Sequence, residues 1–175
     1  MKFLYLSSLA VLAALSINTG HAEQICNTNL AETAPASRFQ ITGGEALDTK
    51  TGLVWKRCLG GQTWDEEANK CSIFVRSSNW KEALESATNG WRVPNIKELG
   101  SIIEHSCSNP SLNTEVFPGP AELVAPTLWS STPALRYLNS IGHEGVWTMQ
   151  TQDGTAISVY KKNQSRNTLL VKDSN

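Results

Sequence analysis

Four cysteines behind an export signal constrain this chain more than any other feature. Lys2 supplies a basic start, residues 3–15 form an apolar run broken only by Ser7 and Ser8, and Gly20-His21-Ala22 places small residues at the minus-three and minus-one positions of a signal peptidase site. Cleavage between Ala22 and Glu23 leaves 153 residues, and Cys26, Cys58, Cys71 and Cys107 all lie in that part. An even count in an exported chain reads as disulfides, with three possible connectivities. The favoured set is Cys58 with Cys71, closing a short loop of glycine and polar residues, and Cys26 with Cys107, pinning a loose N-terminal arm. Closing a loop of the first size contributes about 3 kcal/mol in the chain-entropy account. No Cys-x-x-Cys spacing occurs and His105 with Cys107 is the only close His/Cys pair, so no metal and no cofactor is expected.

The apolar run at the start is too short for a comfortable membrane span and no second one follows, so the processed chain is not expected to span a membrane. Periplasm, cell surface or exterior of a bacterium is the expected location. The processed chain carries 14 basic and 16 acidic residues, a net of −2, which gives no nucleic-acid footprint. Lys161, Lys162, Arg166 and Lys172 cluster near the C-terminus. They read either as a local anion-binding patch or, the favoured reading, as lysines that guard a solvated strand edge.

The size supports one domain with its own core. Three segments are expected: a signal peptide (1–22), an extended arm (23–37) and a domain (38–175). Within the domain, 38–41 reads as a strand, Gly43-Gly44 as a turn and 48–52 as a second turn into a strand over 53–55, an antiparallel hairpin. Trp64 sits in the irregular stretch 56–76 as a platform or, more simply, a staple inside the disulfide loop. A helix is expected over 79–88, with Asn79 and Glu82 forming a capping box and Asn89-Gly90 as its stop. In WRVPNIKEL (91–99), Pro94 disfavours helix at Val93, Asn95 and Glu98 form a second capping box, and Ile96, Leu99 and Ile103 make the buried stripe of a helix reaching about His105. Residues 106–126 carry four prolines and bury only Leu112, Val116 and Phe117, so they read as a long ordered loop. Strands follow at 128–131, 145–149, 155–160 and 168–171, with Asp153-Gly154 a hairpin signal. Segregated helices and antiparallel strands make the fold class α+β.

TGLVWKRC (51–58), NWKEAL (79–84), WRVPNIKEL (91–99), NPSLNTEVFP (109–118) and LWSST (128–132) resemble, in this order, the Lcl C-terminal-like domain family, named after the terminal domain of a collagen-like bacterial adhesin. The resemblance covers about residues 38–171. It implies a C-type-lectin-like fold, two helices packed on antiparallel sheets with long loops. It also implies, from the best-known member, binding of sulfated polysaccharides. Cys58 and Cys71 match a pair common among members with the TGLVWKRC form, which supports that disulfide. Departures from the family pattern are GGEALD (43–48) at the first strand and TLLVKD (168–173) at the last, where two arginines are absent. The chain has no collagen triplets, so the stalk-driven trimer of the adhesin is not implied. The calcium-site signatures of true C-type lectins are absent, so calcium-dependent sugar binding is not implied either.

Several residues can be read as a binding site or as framework. Arg92 can present its fork to an acidic sugar or close on loop carbonyls and Glu98, and its neighbours Trp91, Val93 and Pro94 favour the second. Trp129 with Ser130, Ser131 and Thr132 can line a sugar site or form a core strand. Lys161 and Lys162 complete the candidate ligand residues. An enzyme is not expected. Ser130 has His105 and His143 as conceivable bases but no nucleophile-elbow context, and the carboxylate pairs Glu66-Glu67 and Glu104 with Glu115 are too ordinary to indicate a glycosidase. A distant fold relative, the formylglycine-generating type, needs reactive cysteines late in its chain, and none follows Cys107. The expected function is an exported, non-catalytic module binding polysaccharide or cell-surface glycan. The alternatives are a protein-binding accessory subunit of an envelope or pilus assembly, and a hydrolase.

Overall fold

The Gly43-Gly44 turn lies within the main sheet of the computed structural model, which describes residues 24–119, 126–134, 145–160 and 164–174. The expected signal segment with its Ala22/Glu23 junction, His143, Lys161 and Lys162 lie outside the described residues. Gly43 takes φ +53, the left-handed conformation that a two-residue hairpin loop demands, and joins β2 (Phe39–Thr42) to β3 (Glu45–Asp48). β3 returns as β4 (Leu53–Lys56), and β11 (Val171–Asp173) closes the sheet in the order β11-β4-β3-β2. The expected two-stranded hairpin is therefore a three-stranded meander. Asp48, expected in a turn, is the last residue of β3 and is fully buried.

A second antiparallel sheet, β10-β9-β8, is built from β8 (Thr127–Ala134), β9 (Gly145–Gln150) and β10 (Thr155–Tyr160). Its β8–β9 register shifts between Trp129 and Pro133, where proline cannot serve the ladder. Two small ladders carry the disulfides. β5 (Trp64–Asp65) pairs with β6 (Lys70–Cys71), and β1 (Ile25–Cys26) pairs with β7 (Cys107–Ser108). Both expected disulfides are present, Cys58–Cys71 and Cys26–Cys107.

The two helices, α1 (Trp80–Glu85) and α2 (Ile96–Ser101), start where the capping boxes place them, Asn79 with Glu82 and Asn95 with Glu98. Each is shorter than its periodicity suggests. α1 gives way at Ser86, before Asn89 and Gly90 take positive φ, and α2 ends at Ser101, so Ile102 and Ile103 enter the core from beyond the helix. The strand expected at 168–171 begins only at Val171. Before it, backbone groups are drawn in different directions: the carbonyl of Asn167 accepts from Trp129, that of Thr168 from Gly60 and that of Leu170 from Lys56. Arg92 bridges the backbone of Val171, so the lead-in of WRVPN adds to the main sheet at its β11 edge.

The larger core joins Phe39, Ala46, Trp55, Leu99, Ile102, Ile103, Leu128, Met149 and Val171 to the loop residues Leu112, Val116 and Phe117. A smaller one gathers Ala83, Val93, Trp129 and Val146 under α1. Two charged side chains organise the loops around the first. Arg57, nearly buried, donates to the carbonyls of Val116 (2.9 Å), Gly43 (2.8 Å) and Glu115 (3.1 Å) while lying 4.1 Å over the Trp64 ring. Arg38 forks onto Asp48 and also reaches the carbonyls of Thr33 and Ser101. Among the described residues the architecture is α+β: small antiparallel sheets, two short α-helices and two disulfides.

Candidate functional site

The residues singled out in the sequence do not gather into one site. Trp129 is completely buried, and its indole N–H donates to the Ser78 carbonyl at 2.8 Å. Neither ring face is open to a pyranose, so the core-strand reading is the one its position supports. Ser130 is equally buried and donates its hydroxyl to the Trp147 carbonyl at 2.6 Å, which fixes that oxygen as a strut. The Ser131 N–H is bonded to the Pro94 carbonyl and Thr132 accepts from the Ile96 N–H, so both brace the start of α2. Arg92 closes its fork on Glu98 at 2.8 and 2.8 Å and reaches Asp173 at 3.0 Å. The guanidinium is held strongly protonated, chiefly by the Glu98 hydrogen bonds and then by Asp173, against the cost of partial burial.

Glu104 is likewise committed. Its buried carboxylate accepts from the N–H groups of Thr33, Ala34 and Ser106 and from the Ser106 hydroxyl at 2.6 Å. Burial alone raises its pKa, yet the Ser106 hydroxyl and the three backbone donors outweigh that and bring it down to about 2. The group clamps the N-terminal arm to the loop after α2.

A different constellation forms where β3, β4 and β11 meet the 88–92 turn. Glu45 lies opposite Lys56 in the β3–β4 register, and Lys172 lies opposite Val54, diagonal to Lys56 on the same face. Both ammonium groups bond the Glu45 carboxylate, at 3.0 and 2.9 Å. Both also sit over the Trp91 ring, Lys56 at 4.1 Å and Lys172 at 4.5 Å from its centroid. Burial raises the Glu45 pKa, but Lys172 and Lys56 outweigh it and hold the carboxyl below its usual range. All four side chains remain partly exposed, with one net positive charge among them.

Lys56 also lines a cleft of about 370 Å³ between the disulfide loop and the end of α1, with Gly44, Leu59, Gln62, Thr63 and Trp64. Gly60, Gly61 and Ser86 carry the cleft into a second hollow of about 300 Å³, lined by Arg76, Glu82, Glu85 and Thr168. The cleft thus runs from the Lys56 ammonium to the Arg76 guanidinium, past the apolar side chains of Leu59, Trp64 and Leu170, glycine backbone, hydroxyls and an amide. Among the described residues, no group of three or more His, Cys, Asp or Glu is placed to hold a metal ion.

Sequence reasoning missed this cluster because Lys56 and Lys172 are made neighbours only by the β4–β11 pairing. The available signal was alternation: in LVWK and VKD the lysine falls on the face opposite the buried Trp55 and Val171. The family model described as the Lcl C-terminal domain matches residues 44–172, which include all four members of the cluster and the whole cleft. The chain matches no curated protein.

Proposed function

From the premise that this chain belongs to the Lcl C-terminal domain family, we propose that it is an exported, non-catalytic binding module that recognises a polysaccharide or cell-surface glycan in adhesion. The family supports a domain of an adhesin-like protein, and we read its framework as C-type-lectin-like. The observation that carries the glycan reading is the partly exposed Trp91 indole with the Lys56 and Lys172 ammonium groups over its ring, Lys56 also lining the neighbouring cleft. An indole edge beside two ammonium groups offers apolar contact to a sugar ring and charge to its acidic substituents. Because Glu45 neutralises one of the two lysines, the cluster favours sparsely charged chains over densely sulfated ones.

Binding to a glycan array and retention on a heparin column at low and moderate salt test this. Trp91→Ala and Lys172→Glu are expected to weaken the signal by about tenfold each, the scale of losing one aromatic contact to a sugar ring or one charge-assisted hydrogen bond. No retention of the unaltered protein on any glycan refutes the reading, and co-purification with one specific envelope protein instead supports the accessory-subunit alternative.

A further inference from the structure

Away from the glycan cleft, the two disulfides differ in their access to an outside thiol. Cys26 is exposed and Cys107 half-buried, whereas Cys58 is half-buried and Cys71 is buried. Cys26 and Cys107 both line an open hollow of about 620 Å³. Ile25 and Leu30, 63% and 54% exposed, line the same hollow and give apolar contact to a protein that presents a thiol there. Around this bond the fold is thin. Its ladder is only two residues long, β1 against β7, and the Asn27 N–H adds one bond to the Ser106 carbonyl at 2.7 Å. Ahead of the cysteine, the Gln24 amide donates to the carbonyls of Pro110 (2.7 Å) and Leu112 (2.8 Å). These are neutral hydrogen bonds at the surface, each of small net worth.

From Thr33 onward the arm is held without help from sulfur. The Glu104 carboxylate accepts from the Thr33 and Ala34 N–H groups, Ala34 and Phe39 are buried in the main core, and Arg38 forks onto Asp48. Opening Cys26–Cys107 therefore loosens residues 24–32 and stops at the Glu104 clamp. Cys58–Cys71 offers no such division: Cys71 is buried and lies opposite Trp64, whose ring carries the Arg57 guanidinium that ties three loop carbonyls. Exchange rates follow the access of the attacking thiolate, and exposed disulfides are the labile ones.

We propose that Cys26–Cys107 is a thiol–disulfide exchange site for a protein dithiol of the Cys-x-x-Cys kind, and that its reduction unlatches residues 24–32. The incoming thiolate bonds to Sγ of Cys26, the more exposed cysteine, while the Cys26–Cys107 bond breaks and its electron pair passes to Cys107. Cys107 takes a proton from water and, as a thiol, has the Ser106 Oγ 3.6 Å away as an acceptor. The partner's second thiolate then displaces Cys26, which is protonated in turn, so the chain gains two thiols and the partner closes its own disulfide. The test incubates the oxidised protein with reduced thioredoxin, quenches with N-ethylmaleimide and maps the labelled peptides by mass spectrometry. Cys26 and Cys107 are expected to be labelled at least about tenfold faster than Cys58 and Cys71. Amide hydrogen exchange in the labelled product is expected to rise over residues 25–32 and to stay slow at Thr33 and Ala34. The Cys26→Ser/Cys107→Ser variant should reproduce that pattern with an unchanged near-UV circular dichroism spectrum, which separates unlatching from the bulk of the label. No labelling of Cys26 and Cys107, or labelling of Cys58 and Cys71 at an equal or greater rate, overturns the exchange site. Exchange that is unchanged before Thr33, or that spreads to Thr33 and Ala34, overturns the latch.

Discussion

Replacing Glu104 by Gln removes one negative charge and, whichever way the amide is placed, turns an acceptor into a donor facing donors. One carboxylate oxygen accepts from Ser106 N–H (2.9 Å) and hydroxyl (2.6 Å), and the other from Thr33 (2.9 Å) and Ala34 (2.8 Å). The magnitude follows from linkage. A carboxyl that titrates at about 2 in the folded chain and at its ordinary 4.5 when unfolded contributes about 3 kcal/mol at neutral pH. Because the folded value is depressed, that stability is fully present above 4.5 and lost as pH falls toward 2. Urea denaturation with disulfides intact should therefore show Glu104→Gln about 3 kcal/mol less stable at pH 7, with the gap closing to about 1 kcal/mol near pH 3. A loss under about 1 kcal/mol at pH 7, or a gap that stays constant with pH, would refute the clamp.

Other outcomes follow from the same geometry. Asp48→Asn strips the charge from a fully buried pair in which Arg38 Nε lies 2.6 Å away, and thermal melts should show a loss of about 3 kcal/mol. Peptide mapping without reduction should recover Cys26 with Cys107 and Cys58 with Cys71, and Cys58→Ser/Cys71→Ser should cost about 3 kcal/mol in denaturant titrations. Trp91→Ala should reduce glycan retention while leaving the melting temperature nearly unchanged, because the ring lies on the sheet surface and outside both cores.

What could be read from the sequence was local. Asn79 with Glu82 and Asn95 with Glu98 announce helix starts because a capping box is closed by residues three apart, and both appear as expected. Helix ends were misplaced because tertiary packing sets them: Ile102 and Ile103 keep the apolar spacing of α2 while reaching the core from non-helical backbone. Trp129 illustrates the limit for function, since an aromatic flanked by hydroxyls reads alike as platform and core until burial is known. The Lys56–Trp91–Lys172 cluster spans three elements that only the sheet order brings together. The burial of Asp48 and Glu104 was not legible for a related reason. Arg38, Thr33 and Ala34, which help to hold them, lie on the arm and its continuation, and nothing in a lone acidic residue shows that it is buried.

Those two carboxylates also locate where the folding unit begins. The family match starts at residue 44, beyond β2, yet the residues before it complete the core. Ala34 and Phe39 are buried in the main cluster, with the Phe39 ring edge-on to Phe117 at 5.8 Å. Arg38 neutralises Asp48, Thr33 and Ala34 supply backbone donors to Glu104, and Cys26 ties the arm to Cys107. A fragment of residues 44–172 would keep both acids and lose these partners, leaving one uncompensated buried charge and one half-satisfied carboxylate. Each defect costs about 3 kcal/mol, and the lost apolar contacts and disulfide add to that, against a total stability of about 5–15 kcal/mol for a domain of this size. The fragment is therefore expected to show no cooperative thermal transition and no near-UV signal, whereas residues 24–175 show both. A fragment of 44–172 that melts cooperatively would mean that the arm is an accessory to the fold, and that Asp48 and Glu104 find other partners once it is gone.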